Sequence, residues 1–356
     1  MNQLASKTKS VLKSFSRRGS IYLILTALLA PLVTLSSPSS GASLPPSCVT
    51  PVGTHYALLN PSPYPSFITR AIDQATSSID LTIYELNDPV VVSDLISAAN
   101  RGIQVRVLLD RAYSGYYENS NAYRTLGASK VSVRYAPANV IYHQKTLTID
   151  HACSFIGTGN LTPRYYRSSI DFWVLDNYSV DVSSIESTFA RDFTSSSPIK
   201  VALTGSLVYS PGAEAPLVSL IDSARHSIFV SAAEMRDSYI TTPLAAAARR
   251  GVRCSILMTQ NSAYDSVLGA LRAAGCTIRL YPDTSTSPYV HAKVILVDYA
   301  TPTARVFIGS QNISISSLIY DRELGLILTP RNAAGLVNGL HSALTRDFSR
   351  APIVYH

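Results

Sequence analysis

The alternation of apolar and polar positions predicts two copies of a strand–helix–strand unit. The first copy has two apolar strands around a helix that a glycine ends: Ile79–Tyr84, Val90–Arg101 with Gly102, and Val105–Asp110. The second copy has the same three parts: Ile228–Ala233, Thr242–Arg250 with Gly251, and Arg253–Thr259. Short strands that alternate with helices favour parallel pairing beneath covering helices. The pattern therefore predicts an α/β protein of two units, each a mixed, mostly parallel sheet covered by helices. The polar, tyrosine-rich Ala112–Arg124 predicts a long loop, which often borders a site.

The two units are related by an internal repeat. Three features of the first half recur 149 residues later: Ile72-Asp73 as Ile221-Asp222, Glu85 as Glu234, and Arg101-Gly102 as Arg250-Gly251. Two more recur in the same order: His143-x-Lys145 as His291-x-Lys293, and Arg191-Asp192-Phe193 as Arg346-Asp347-Phe348. Matches in register over most of the chain indicate duplication. We expect a linker at 43–63, a first domain at 64–197 and a second at 198–356, with the boundary near Thr194–Pro198.

Each half carries the pattern H-x-K-x4-D, at His143–Asp150 and His291–Asp298. Both segments resemble strands, on which residues two apart share a face. Each histidine should therefore project beside the lysine of its own motif, Lys145 or Lys293. The odd spacing places Asp150 and Asp298 on the opposite face, so we interpret these aspartates as structural supports.

A small-residue turn ending in asparagine follows each motif, at Gly157–Asn160 and Gly309–Asn312. Eleven residues after each asparagine stands an acid, Asp171 or Glu323. A glycine turn lets the backbone approach a ligand, and an asparagine amide can donate to a phosphate oxygen. The acid can bond an imidazole nitrogen and set its tautomer. Glu85 and Glu234, at strand ends, are equally well explained as structural residues.

Two histidines and two lysines supply what phosphodiester cleavage requires: a nucleophile, an acid for the leaving oxygen, and cations over the transferring charge. The predicted catalytic set is His143, Lys145, Asn160, Asp171, His291, Lys293, Asn312 and Glu323, with Asp150 and Asp298 as supports.

This succession of motifs, present twice, resembles the phospholipase D superfamily over nearly everything after residue 60. Asp171 departs from the glutamate more usual there, and Thr158 and Gly159 make the first copy less regular. The resemblance implies two tandem, pseudo-twofold-related domains, an active site at their interface, and cleavage without a metal or other cofactor.

The resemblance also implies roles for the predicted residues. His143 would attack phosphorus to give a phosphohistidine, and His291 would protonate the leaving group and then activate water; the reverse assignment stays open. The two lysines and two asparagines would hold the phosphoryl oxygens. Asp171 would orient His143, and Glu323 would orient His291.

The N-terminal segment has the pattern of an export signal. Five cations without an acid in the first twenty residues precede the apolar Ile21–Leu35 and the small-residue Ser36–Ser43. This predicts a signal peptide at 1–42, cleaved after Ala42, and a periplasmic or secreted protein, with an uncleaved membrane anchor as the alternative. Without those five cations the formal charge of +7 falls to +2, so bulk charge does not argue for a polyanionic partner.

Four cysteines, Cys48, Cys153, Cys254 and Cys276, form an even set suited to an oxidising compartment. Cys254 and Cys276 lie in candidate strands joined by a short helix and could pair if the strands are neighbours. All three connectivities stay open, and none of the spacings suggests a zinc site.

The motifs do not distinguish phospholipid hydrolysis, phosphatidyl transfer and nucleic-acid cleavage. Export, modest charge and apolar character favour a phospholipid, which would allow peripheral membrane contact. A nuclease is the alternative, with a basic groove seeded by Arg164, Arg167 and Arg322. A phosphate-binding protein without catalysis should have lost a histidine or lysine, and neither pair is broken. Since both motifs stand in one chain, a monomer suffices.

Overall fold

A computed structural model describes residues 46–112, 115–195, 201 and 204–356. The expected signal peptide at 1–42 and its cleavage site lie outside these residues. So do the first residues of the expected linker and most of the expected boundary near Thr194–Pro198.

In the first half, strands and helices alternate at first, and strands then follow one another: β1 (Tyr56–Leu59), α1 (Ser66–Gln74), β2 (Ser78–Ile83), α2 (Pro89–Asn100), β3 (Gln104–Leu109), α3 (Gly115–Gly127), β4 (Ser132–Tyr135), β5 (Lys145–Ile149), β6 (Cys153–Gly157), β7 (Ser169–Ile170), β8 (Trp173–Asp176) and α4 (Ser179–Thr194). The predicted strand–helix–strand unit corresponds to β2, α2 and β3.

The second half repeats this order: β9 (Leu207–Ser210), α5 (Glu214–Asp222), β10 (Ser227–Ser231), α6 (Ser238–Arg249), β11 (Arg253–Thr259), α7 (Asp265–Ala273), β12 (Thr277–Tyr281), β13 (Tyr289–Val290), β14 (Val294–Val297), β15 (Arg305–Gly309), β16 (Glu323–Leu328), α8 (Pro330–Arg350) and β17 (Ile353–Val354). Its predicted unit corresponds to β10, α6 and β11. None of the helices in the described ranges is long and apolar enough to cross a membrane.

Each half forms a mixed sheet. The first has the strand order β1-β8-β6-β5-β2-β3-β4, and the second has the order β17-β12-β11-β10-β14-β15-β16-β9. Strands β2, β3 and β4 pair in parallel because α2 and α3 return the chain, and β10, β11 and β12 do the same in the second half. The remaining strands join in antiparallel pairs, yet five strands of each sheet run in the same direction.

The repeat is visible in how the corresponding helices α2 and α6 begin and end. Asp88 caps α2 by accepting a hydrogen bond from Val90 N at 2.9 Å, and Asp237 caps α6 by accepting one from Tyr239 N at 2.8 Å. Both helices are followed by a glycine with positive φ. Matching caps place the two helices, and the strand ends before them, equivalently in each half.

The two halves share a hydrophobic core. Besides the core of each half, a third apolar cluster combines residues from both sheets, among them Ile156 and Val174 from the first and Val294, Ile308 and Leu326 from the second. Strands β7 and β13 add a parallel pair across the same boundary. The halves are therefore packed face to face, with the start of each H-x-K motif at their contact.

The prediction of a long loop at Ala112–Arg124 is wrong, because Gly115–Gly127 forms α3. Its inner face combines the buried Asn119 with Ala122 and Leu126, which join the core of the first half. The Asn119 side chain donates to Tyr84 O at 2.7 Å and Asp110 O at 3.0 Å, and accepts from Leu86 N at 2.7 Å. A polar residue and a small alanine on the buried face leave little apolar periodicity, so the pattern does not indicate a helix here.

Two disulfides select one of the three connectivities. Cys48 pairs with Cys153 and ties the N-terminal turn to β6, and Cys254 pairs with Cys276. The second bridge joins β11 to the residue before β12, which are neighbouring parallel strands as the sequence suggested.

Candidate active site

The two H-x-K motifs meet at the edge of the sheets where β2 and β10 end. The strands of the motifs begin later than predicted, at Lys145 and Val294. The residues before them pair with the other half: Gln144 N donates to Arg322 O at 3.0 Å, and Ala292 N donates to Ile170 O at 2.8 Å. The backbone of each half thus positions the histidine of the other.

Each histidine contacts an acid from the opposite half. His143 Nδ1 lies 2.9 Å from Glu323 Oε2, and His291 Nδ1 lies 3.0 Å from Asp171 Oδ1. The expectation that Asp171 orients His143 and Glu323 orients His291 is therefore wrong. The pairs are exchanged because the segment before β5 meets the segment before β16, and β7 meets β13, across the boundary. A carboxylate that accepts from Nδ1–H sets the tautomer whose lone pair lies on Nε2.

The two lysines are buried beside the histidines. Lys145 and Lys293 each donate to the carbonyl of the histidine in their own motif, and Lys293 Nζ also lies 3.4 Å from Thr158 O of the first half. Burial lowers the pKa of Lys145 to about 7 and that of Lys293 to about 8. An anion bound here would raise both values again, so the cluster is suited to hold a phosphate.

The two histidine–acid pairs differ in their electrostatics. Burial raises the pKa of Glu323 to about 7. Burial also opposes ionisation of Asp171, but His291 and Lys293 outweigh it and lower the pKa of that carboxyl to about 2. Asp171 is therefore ionised throughout the neutral range, whereas Glu323 is close to its titration midpoint at neutral pH.

The histidines differ accordingly. Burial, followed by the charges of Lys145 and Lys293, holds the pKa of His143 well below its ordinary range. Burial and Lys293 also lower the pKa of His291, but the Asp171 carboxylate opposes this shift. His143 is thus the better neutral nucleophile, and His291 the better proton carrier.

Asn160 and Asn312 stand at the edge of this cluster. Asn160 Nδ2 donates to Glu85 Oε2 at 3.1 Å, which gives Glu85 a positioning contact to the site. The backbone N–H of Asn312 donates to Ser317 Oγ at 2.7 Å. The role of both amides in holding phosphoryl oxygens stays a prediction.

Asp150 and Asp298 lie at the far edge of each sheet. Asp150 accepts from the backbone N–H groups of Thr76, Ser77 and Ser78 at 2.7–2.9 Å, and Asp298 accepts from those of residues 225–227. Since β5 has five residues, Asp150 lies about 16 Å from Lys145. Both aspartates brace the loop that leads into a central strand, in agreement with a supporting role.

Several contributors were not indicated by the sequence. The ring of Tyr84 packs edge-on against His143 at 4.8 Å and lies 5.1 Å from Lys145 Nζ. Ser317 Oγ lies 2.5 Å from Glu323 Oε1 and holds that acid. The internal repeat is the sequence signal that identifies candidate site residues. Tyr84 and Ser317 have no counterpart in the other half, so the repeat does not indicate them.

Arg322 cannot serve a basic groove as expected. Its guanidinium is fully buried and forms an ion pair with Asp192 of α4, Nε to Oδ2 at 2.8 Å. This pair joins the two halves beneath the site. Arg164 and Arg167 are exposed, and Arg164 pairs with Glu118 at 3.1 Å. Across the described ranges, no group of three or more histidine, cysteine, aspartate or glutamate side chains could hold a metal ion.

Residues 68–193 and 217–349 match the family model described as cardiolipin synthase, phospholipase D-like domain. These two matches cover well over half of the chain. This chain belongs to the phospholipase D superfamily.

Relatives within the superfamily match shorter stretches. A phospholipase D of Rickettsia felis is 33% identical over 96 residues, which is 27% of this chain and 47% of that protein. A cardiolipin synthase A of Pseudomonas syringae is 31% identical over 141 residues, 38% of this chain and 29% of that protein. The chain thus spans about half the length, or less, of these two relatives.

A solved structure supports the fold of both halves together. The phosphatidylserine synthase of Haemophilus influenzae superposes with a TM-score of 0.66 over 85% of this chain and 87% of that chain, at 11% identity. Such low identity shows the phospholipase D fold alone.

The departures from the usual phospholipase D motif in the first half form one compensating set. Thr158 Oγ1 donates to Asp171 Oδ1 at 2.6 Å. A Cβ at Gly159 would lie 2.6 Å from the Asp171 carboxyl carbon, so only glycine leaves room for it. The shorter acid is therefore brought to His291 by a threonine that holds it and a glycine that admits it.

Proposed function

We propose that this chain is an exported phosphodiesterase that cleaves a phospholipid through a phosphohistidine intermediate, without a metal ion. The observation that carries the proposal is the crossed arrangement in which each motif histidine contacts an acid of the opposite half, beside two buried lysines. One chain supplies every group, so the active form is a monomer.

In the first step His143 Nε2 attacks phosphorus, and the bond from phosphorus to the leaving oxygen breaks. His291 donates its proton to that oxygen, so the head group leaves as a neutral alcohol. In the second step His291 takes a proton from water, and the resulting hydroxide displaces His143 from phosphorus. The phosphate monoester leaves, and both histidines return to their starting state.

The lysines stabilise the charge that builds up on the phosphoryl oxygens. The buried surroundings of the two lysines have a low dielectric constant. The attraction between each ammonium group and the phosphoryl oxygens is therefore stronger there than in water. The Asp171 carboxylate supports the protonated His291 before the first step and after the second. Glu323 and Ser317 keep the ring of His143 in its attacking orientation.

A phospholipid is favoured over nucleic acid by the charges around the site. Arg322 is taken up by its ion pair with Asp192, and Arg164 is balanced by Glu118. The acidic Glu85 and Glu234 lie near the two catalytic lysines. These features suit one phosphate rather than a chain of them. The two disulfides support export to an oxidising compartment.

Phosphatidyl transfer is the second candidate, since the relative from Pseudomonas syringae is a cardiolipin synthase. The same phosphohistidine would then react with an alcohol instead of water. Product analysis of phosphatidylcholine vesicles with and without added glycerol separates the two: phosphatidic acid indicates hydrolysis, and phosphatidylglycerol indicates transfer.

The test uses the mature protein with a chelator present. We expect cleavage of phosphatidylcholine or phosphatidylglycerol vesicles, and little cleavage of single- or double-stranded DNA. His143→Ala and His291→Ala should each abolish it, while His341→Ala, at a half-buried position of α8 where the ring stacks on Tyr299, serves as the control. Complete loss of wild-type activity on chelation would contradict the metal-free mechanism. Cleavage of DNA without cleavage of phospholipid would contradict the proposed substrate and indicate a nuclease.

A further inference from the structure

Five exposed tyrosines surround the mouth of the site, and we call them the tyrosine rim: Tyr117, Tyr165, Tyr239, Tyr289 and Tyr320. Their exposed fractions are 79%, 39%, 62%, 40% and 64%. Large rings exposed in this way lose contact with water at a favourable free energy when a partner covers them. Such a concentration at one place indicates an interaction surface.

Each member follows an element that ends at the catalytic edge. Tyr117 lies in the first turn of α3, directly after β3, and Tyr239 lies in the first turn of α6. Helix α3 belongs to the first half and α6 to the second, so both halves contribute to the rim.

The other three members adjoin predicted catalytic residues. Tyr165 lies beside Gly159, Asn160 and Asp171 around a small cavity. Tyr320 closes the turn after Asn312, and the Tyr289 ring stacks on His291 with centroids 5.5 Å apart. The rim is therefore continuous with the site rather than a separate patch.

We propose that the tyrosine rim docks the protein on an anionic phospholipid bilayer, with the site facing the lipid surface. Tyrosine prefers the boundary between head groups and acyl chains, where its ring is buried and its hydroxyl stays hydrated. Exposed arginines outside the Arg164–Glu118 ion pair adjoin the rim, at Arg111, Arg167 and Arg236. Their positive charge complements anionic head groups. The inference rests on the proposed phospholipid substrate.

A single-stranded nucleic acid is the other partner that stacks on aromatic rings and contacts arginines. The acids at the mouth argue against it. Glu118 follows Tyr117, Glu234 acts electrostatically on Tyr289, and Asp321 follows Tyr320 directly. A strand that stacks on successive rings would bring a phosphate to each of these acids, whereas a bilayer can take up the rings without a phosphate at each acid.

The experiment measures binding to sedimented vesicles of phosphatidylglycerol and phosphatidylcholine. The variant Tyr117→Ser/Tyr239→Ser/Tyr320→Ser removes the three most exposed rings and leaves Tyr289 on His291. We expect it to bind about tenfold or more weakly than the wild type, and binding to fall with salt. The control Val52→Ser/Val180→Ser removes exposed apolar side chains at the opposite edge of the first sheet and should bind normally.

A soluble phosphodiester separates docking from chemistry. Cleavage of bis(4-nitrophenyl) phosphate should be the same in the triple variant as in the wild type, while vesicle cleavage falls with vesicle binding. If thermal melting shows that the triple variant is unfolded, Tyr117→Ser alone is used, with a smaller loss of vesicle binding expected.

Unchanged vesicle binding in the rim variant overturns the proposal, as does rim-dependent binding of an oligothymidylate without vesicle binding. Vesicle binding that depends on the rim, in a protein that cleaves no phospholipid, supports the docking surface and refutes the proposed substrate. The two failures are thereby distinguishable.

Discussion

The exchanged histidine–acid pairs predict a specific change in the pH dependence of Asp171→Asn. Asparagine keeps the size of the side chain and the hydrogen bond with His291, but it removes the negative charge. His291 must hold a proton to assist the leaving group, so losing the charge lowers the pKa of His291. The alkaline limb of kcat/KM should therefore move to lower pH.

The size of the shift follows from the carboxyl itself. The pKa of Asp171 falls from 3.8 to about 2, although burial acts in the opposite direction, and His291 is the largest lowering cause. This difference corresponds to about 2 kcal/mol of interaction with the protonated neighbours. Interaction between two sites is reciprocal, so the Asp171 carboxylate acts to raise the pKa of His291 against burial. At pH 7 the variant should lose about 30-fold in kcat/KM, the rate equivalent of about 2 kcal/mol, and less at pH 5.

The assay is a pH–rate profile with a soluble phosphodiester, which avoids changes in vesicle charge. Glu186→Gln is the matched control, because Glu186 contacts His151 Nδ1 in the same way at an exposed position. Its profile should coincide with that of the wild type. An equal loss at every pH, or a profile that does not move in Asp171→Asn, would refute the assignment of His291 as the acid.

Three further predictions concern packing. Asp192→Asn strands the buried Arg322 charge between the halves and should lower the free energy of unfolding by about 3 kcal/mol in urea titrations; a change below about 1 kcal/mol would contradict a buried pair. Gly159→Ala should displace Asp171 and reduce kcat/KM at least about tenfold in a folded protein, whereas Gly269→Ala, where a Cβ meets open space, should have no effect. Removing the disulfide that spans 105 residues should cost more thermal stability than removing the one that spans 22, by about 1 kcal/mol on chain-entropy grounds, and the reverse order would contradict that reasoning.

Local patterns predicted the strands and helices that bring the motifs to one edge. Apolar runs bounded by Gly102 and Gly251 located α2 and α6 and the strands beside them, and the repeat indicated two similar units. These features depend on residues close together in the chain, so they can be predicted from a single sequence. The predicted reason for separating Asp150 and Asp298 from the catalytic groups, opposite faces of one strand, is wrong: each follows the end of its strand with a positive φ, and the length of the strand separates it from the lysine.

Such local patterns cannot predict that each histidine pairs with the acid of the opposite half. Asp171 and Glu323 have the same spacing from their motifs, and spacing does not say how two sheets pack. Packing between the halves also decides the role of Arg322. The sequence predicts a basic surface residue, whereas the structure pairs Arg322 with Asp192, 130 residues away. Helix α3 differs for a third reason, since a polar Asn119 and a small Ala122 occupy its buried face beside Leu126 and weaken the apolar periodicity.

The central claim is that histidines from both halves act in one site, with His143 as the nucleophile. The most direct test is rapid quenching of the His291→Ala variant with a 32P-labelled 4-nitrophenyl phosphodiester, whose leaving group needs no proton. We predict a label on His143 in this variant and none in His143→Ala. A label on His291 in the His143→Ala variant would reverse the roles, and turnover by the wild type without label on either histidine would contradict the phosphohistidine mechanism.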